Sequence, residues 1–155
     1  MLGMDGREPK VAARTTVERR DGAIPGRCDE LDGIGHGLHG NRRIAADLHL
    51  AEERPEANER FIEFVEGKAR SADALYILGD FFEYWIGDDD LGVPFNAVIA
   101  GLLKDLTRRG VPVYLMHGNR DFLIGERFCA ATGARLLQDP TVAHIGGMKT
   151  LLVHG

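Results

Sequence analysis

The segment Ala74-Leu75-Tyr76-Ile77-Leu78 is an unbroken apolar run of strand length that stops at Gly79-Asp80. A strand without polar alternation must be covered on both faces, which implies a parallel sheet inside a layered fold. The pattern of strand signal followed by polar motif recurs along the chain. Ile44 to Ala46 runs into Asp47-Leu48-His49, Val111 to Met116 into His117-Gly118-Asn119-Arg120-Asp121, and Lys149 to Val153 into His154-Gly155. Helical stripes lie between: Phe61, Phe64, Val65 and Lys68 after Pro55, then Val98, Ile99, Leu102, Leu103 and Leu106 up to Arg108-Arg109-Gly110. Cations followed by glycine suit a helix C-terminus. Phe128 to Thr132 predicts a short helix, and Thr141 to Ile145, Gly146-Gly147 and Lys149 to Val153 predict a hairpin. The order βαβαβ, then a helix and a hairpin, specifies an α/β layered fold.

At 155 residues and 44% hydrophobic content, one core is expected. A net charge of −5, with acids and bases mixed from Glu52 to Arg70, excludes bulk electrostatic binding of nucleic acid. No protein partner is predicted. Cys28 and Cys129 belong to no Cys-x-x-Cys pair, which fits a reducing cytoplasm. No apolar run approaches ~20 residues, and Met1 to Arg20 lacks the apolar centre of a secretory signal. Residues 1–42 are studded with Arg, Gly-rich from Asp32 to Gly40, and without apolar periodicity. They are expected to be a disordered or non-native extension, with residues 43–155 as the folded unit. His36 and His39 sit among flexible glycines that cannot preorganise a metal site.

In open α/β sheets, sites form beyond the carboxyl ends of strands, so this topology brings the separated motifs together. In extended chain Asp47 and His49 project to one face and can grip one cation. Asp80 has two oxygens with which to bridge two cations, Asn119 adds a carbonyl oxygen, and His154 an imidazole. This mixed oxygen and nitrogen set suits Mn, Fe or Zn, and manganese is the first choice without sulfur ligands. Singly, each residue has an ordinary reading as a turn cap or surface polar group. Four motifs in this order point to a two-metal centre for phosphoester chemistry. Asp88-Asp89-Asp90 reads as a solvated loop, since adjacent carboxylates repel. His144 reads as a surface residue, Cys129 as a small buried hydrophobe, and Trp85 as either core or cleft wall; His117 has no assigned role.

Asp47-Leu48-His49-Leu50, Ala72 to Asp80, Trp85-Ile86-Gly87-Asp88-Asp89-Asp90 and His117 to Leu123 together resemble the UDP-2,3-diacylglucosamine hydrolase family of lipid A biosynthesis. That family is a branch of the calcineurin-like metallophosphoesterases. Gly118-Asn119-Arg120-Asp121 stands where the wider superfamily has Gly-Asn-His-Glu. The resemblance covers residues 43–155 and implies an αββα metallophosphoesterase sandwich. It implies metal ligation by Asp47, His49, Asp80, Asn119 and His154, with Asn119 and Arg120 on the substrate phosphates. It implies two divalent metals, a lipid-linked nucleotide substrate, and a cytoplasmic site peripheral to the inner membrane. The family pattern continues after His154-Gly155 with an aspartate, a helical lid for the acyl chains and a late Gly-His-x-His. It also begins almost at its first strand, a more apolar one than Arg42-Arg43-Ile44-Ala45-Ala46. On that pattern this stretch is an N-terminal half, expected by itself to bind metal weakly and to show little activity. Two other readings stand beside it: a non-catalytic truncated fragment, or a generic calcineurin-like phosphoesterase, disfavoured by Arg120.

Overall fold

A computed structural model describes residues 40–155. The expectations for residues 1–39, with Cys28, His36 and His39, fall outside the described residues. Four parallel strands, β1 (Arg42–Ala45), β2 (Ala74–Leu78), β3 (Val113–Met116) and β4 (Arg135–Leu137), form one sheet in that spatial order. Their register aligns Ala45, Ile77, Leu115 and Leu136 across the sheet. Three helices, α1 (Pro55–Glu66), α2 (Pro94–Arg108) and α3 (Glu126–Thr132), supply the apolar side chains that cover one face. The antiparallel hairpin β5 (Thr141–Ile145) and β6 (Met148–Leu152) packs on the other.

The period of two in a strand explains the layers. Leu75, Ile77, Val113 and Leu115 pack with Phe61, Val65, Ile99, Leu103 and Phe128 of the helices. Their alternates Ala74, Tyr76, Tyr114 and Met116 pack with Ala143 and Leu152 of the hairpin. Both faces of β2 and β3 are therefore dry, as the unbroken apolar runs require. Tyr76 and Tyr114, directly opposite in the register, stack at 5.0 Å, and burial pushes the Tyr76 hydroxyl above its ordinary pKa.

Several expectations change. Strand β1 spans Arg42–Ala45 rather than Ile44 to Ala46, because it is defined by pairing to β2 and not by its own apolarity. In α2 the buried stripe is Asn96, Ile99, Ala100, Leu103 and Leu106, while Val98, one position off it, is 60% exposed. In α1 the α-helix stops at Glu66, and Ala69 of the following 3₁₀ turn, not Lys68, is buried. Strand β4 had no sequence signal; three residues are too few for a period. Cys129 is half-buried rather than buried, and burial raises its thiol pKa. His144 is likewise half-buried.

Trp85 belongs to the core. It stacks on Phe82 at 4.8 Å and meets Phe128 edge-on at 5.3 Å, in a cluster that also holds Phe81. Asp88-Asp89-Asp90 is not merely solvated. Asp88 accepts backbone N–H bonds from Gly125 (2.9 Å), Arg127 (2.9 Å) and Phe128 (3.1 Å), capping α3 from outside its own sequence. Asp90 accepts from Ile86 N at 2.8 Å, and Asp89 pairs with Arg127 at 2.5 Å.

Two measurements check this packing. Phe128→Ala empties the centre of the aromatic cluster and is expected to cost about 3–5 kcal/mol in denaturant unfolding; a loss under about 1 kcal/mol contradicts it. At Asp88, burial works to raise the carboxyl pKa, but the three amides outweigh it and hold the group below its ordinary value. A lowered folded pKa contributes stability that is present above the unfolded value and lost as pH falls through the folded one. Asp88→Ala should therefore cost about 1 kcal/mol near neutral pH, with the difference from wild type closing in acid below the ordinary carboxylate range. A pH-independent difference rules out this account.

Candidate metal centre

All the sequence-predicted site residues follow the carboxyl ends of strands. Asp47 and His49 follow β1, Asp80 follows β2, Asn119 and Arg120 follow β3, and His154 follows β6. Pairing extends past the strands: Asp47 N–H donates to Gly79 O (3.2 Å), His49 N–H to Asp80 O (2.9 Å) and Leu50 N–H to Phe81 O (2.9 Å). These bonds fix the first two motifs against each other. The expected extended backbone for Asp47 and His49 is not observed. Asp47 (φ 52°), His49 (φ 49°) and Asp80 (φ 47°) all occupy the left-handed region. Pleat periodicity therefore does not aim these side chains; left-handed backbone at each of the three residues does. Such conformations cost on the order of 1–3 kcal/mol each and persist only where surrounding structure enforces them.

Asp80 is the hub. Its Oδ1 accepts the Arg120 backbone N–H at 2.9 Å. Its Oδ2 lies 3.7 Å from His154 Nε2 and 3.8 Å from His49 Nε2. His154 places its other ring nitrogen 3.2 Å from Leu78 O, so a proton on Nδ1 leaves the Nε2 lone pair facing the site. Asp47, Asp80 and His154 each offer one ligand atom, and these atoms lie within 4.8 Å of one another. His49 reaches the group through its Nε2, which faces Asp80 Oδ2. Asn119 and Arg120 are exposed at the rim.

Two glycines permit this closeness. A side chain on Gly79 would place its Cβ 2.0 Å from His154 Nδ1, and one on Gly118 would meet Asp80 N at 2.1 Å. Both positions must stay bare for Asp80 and His154 to approach.

Two residues matter that the sequence reading left without a role. Asp121 is fully buried and accepts N–H bonds from Phe81 (2.7 Å), Phe82 (3.3 Å) and Gly118 (2.8 Å), tying the loop after β2 to the loop after β3. Glu83 lies 3.2 Å from His49 Nδ1 and 2.8 Å from Arg120 Nη1. Asp121 was visible as the last member of Gly-Asn-Arg-Asp, but its inward direction was not; nothing in the sequence marks Glu83. His117 turns away and bonds Ile124 O at 2.7 Å, so it supports the loop after β3.

The donor set suits a divalent cation. Two carboxylates and two imidazoles converge, and the imidazole to carboxylate separations are too long for hydrogen bonds yet short enough for one ion to span. The calcineurin-like phosphoesterase family matches residues 43–155, and its members use divalent metals at such a centre. UDP-2,3-diacylglucosamine hydrolase of Pseudomonas putida strain W619 is 55% identical over 112 residues, covering 72% of this chain and 46% of that protein. Hydrolases of the same name from Pseudomonas entomophila strain L48 and Pseudomonas fluorescens strain SBW25 are 54% and 53% identical over the same length. The chain thus spans less than half the length of these relatives. Among solved structures, the nuclease MPE of Pseudomonas putida covers 64% of this chain and 48% of its own at 23% identity and a TM-score of 0.46, too loose a likeness to bear on function. With the family pattern spanning every described strand from β2 to β6 and the loops that carry Asp47, Asp80, Asn119 and His154, the chain belongs to the calcineurin-like phosphoesterase family.

Proposed function

We propose that this chain carries the metal-binding motifs of a hydrolase that cleaves the pyrophosphate bond of UDP-2,3-diacylglucosamine to UMP and 2,3-diacylglucosamine 1-phosphate in lipid A biosynthesis. The observation that carries the reading is Asp80 Oδ2 set between two imidazoles, beside Asp47, in a chain 53–55% identical to hydrolases of that name. Asp47, His49, Asp80, Asn119 and His154 would hold two divalent cations. Manganese is the first choice, since the donors are carboxylate, amide and imidazole without sulfur. Bound there, such cations supply an activated water and neutralise charge developing on phosphorus.

The remaining work falls to the chain's own groups. The Asp80 to Arg120 backbone bond holds Arg120 at the rim, where a planar, permanently charged guanidinium can take two phosphate oxygens at once. Asn119, beside it in sequence, is exposed at the same rim. The Leu78 carbonyl fixes the His154 ring, and Gly79 and Gly118 keep side chains out of the centre. Exposed Tyr84, Ile86 and Val93 line a groove with Leu50, Phe95 and the polar Glu52, Asp90 and Asn96, and its apolar part could take up an acyl chain. We infer that the protein works at the cytoplasmic face of the inner membrane, held peripherally through its lipid substrate; no helix among the described residues is long and apolar enough to cross a membrane.

In full-length protein, Asp80→Ala should abolish both Mn²⁺ binding, read by titration calorimetry, and UMP release from UDP-2,3-diacylglucosamine. Chelation should silence the wild type, with Mn²⁺ restoring it better than Zn²⁺. Substantial turnover by Asp80→Ala, or activity that survives chelation, sinks the assignment. Fractionated cells should carry the protein on inner membranes and release it in an alkaline carbonate wash without detergent; extraction only by detergent, or absence from membranes, argues against peripheral attachment.

A further inference from the structure

Glu83 sits where the metal-facing and phosphate-facing parts of the site meet. It is 28% exposed, three residues after Asp80 and outside any strand or helix. Its Oε2 lies 3.2 Å from His49 Nδ1, and its Oε1 accepts a hydrogen bond from Arg120 Nη1 at 2.8 Å. Arg54 closes the arrangement: its Nη1 donates to His49 O at 3.1 Å and to Glu83 Oε2 at 3.4 Å. The Glu83 backbone is itself pinned, its N–H donating to Leu50 O at 3.0 Å.

We propose that Glu83 is a positioning residue that couples the two parts of the site, orienting the His49 imidazole with one carboxyl oxygen and the Arg120 guanidinium with the other. The two nitrogens of His49 face two different carboxyl groups, Nδ1 toward Glu83 and Nε2 toward Asp80. Ligating histidines are commonly aimed by an anchor on the far ring nitrogen. Here the Glu83 carboxyl lies within reach of that nitrogen at 3.2 Å, although the pair is not aligned as a hydrogen bond in this geometry. His49 has special need of one, because its backbone is held in the left-handed region and gives its side chain no help from strand geometry. Arg120 needs it for another reason. Its side chain is 55% exposed, and a free arginine at a rim samples many rotamers. Glu83 engages one Nη1, which leaves Nη2 and Nε to meet phosphate oxygens. As a contribution to stability such an exposed pair is small. Its effect lies in geometry.

The proposal rests on the reading of Asp47, His49, Asp80 and His154 as a metal centre, and the experiment separates the two. In full-length protein, Mn²⁺ affinity is titrated directly, and KM and kcat are measured for UDP-2,3-diacylglucosamine. Glu83→Ala should weaken Mn²⁺ binding by about 10- to 100-fold and raise KM more than it lowers kcat. In an Arg120→Ala background the same change should still weaken metal binding but no longer move KM. Glu83→Gln, which keeps the shape and one acceptor oxygen, should fall between wild type and Glu83→Ala, and it carries the test if the alanine variant does not fold. Wild-type Mn²⁺ affinity in Glu83→Ala, or in Glu83→Gln should that variant stand alone, overturns the proposal. So does a KM rise that persists without Arg120. If Asp80→Ala loses the metal and Glu83→Ala does not, only the role of Glu83 fails. If Asp80→Ala binds Mn²⁺ like wild type, the metal-centre reading fails and takes this one with it.

Discussion

A carboxyl group buried in the protein interior, that of Asp121, holds this site together. Its oxygens receive three backbone N–H bonds, two from the loop after β2 and one from Gly118 in its own loop after β3. A buried carboxyl without donors is expensive, and one with three well-placed amides becomes a rigid staple. The staple brings Gly118 against Asp80 and sets the Arg120 amide on Asp80 Oδ1. With Asp80 placed, the His49 backbone is held by its N–H bond to Asp80 O, and the His154 ring by the Leu78 carbonyl.

Strain is concentrated at the same place. Among the described non-glycine residues, the three with left-handed backbone are Asp47, His49 and Asp80. The parallel sheet makes that tolerable. Its register is set by β2, whose two apolar faces are buried by helices on one side and the hairpin on the other, and the ladder continues to the Leu50 to Phe82 bridge. Burial of that core is the favourable term against which local strain of a few kcal/mol is held. The rim is built differently. Glu83, Arg54 and Arg120 are partly solvated, and their ion pairs direct side chains more than they stabilise the fold.

How much was legible depended on how local the signal was. β2, β3, α2 and the hairpin announce themselves in apolar runs, a helical stripe and a Gly-Gly turn, because each is specified by its own residues. β4 has three residues and no period. β1 begins in two arginines, and its bounds come from pairing. Asp88 looked like part of a repelling acidic run, yet it caps α3 across 37 residues of chain. Trp85 could be placed on either side of the core boundary until Phe82 and Phe128 were seen to enclose it.

The sequence by itself determined the fold class and the candidate ligands. Strand-terminal Asp, His and Asn residues are named by their position after apolar runs, and a parallel α/β sheet can only gather them at one end. Tertiary structure decided how they meet: which carboxyl oxygen the two imidazoles share, that left-handed backbone rather than a pleat aims Asp47 and His49, and that Asp121 and Glu83 hold the loops and the rim. The reason is physical. Local patterning reports which face of an element is dry, whereas contacts between residues 31 to 76 positions apart depend on register, loop closure and hydrogen bonds that no short window of sequence contains.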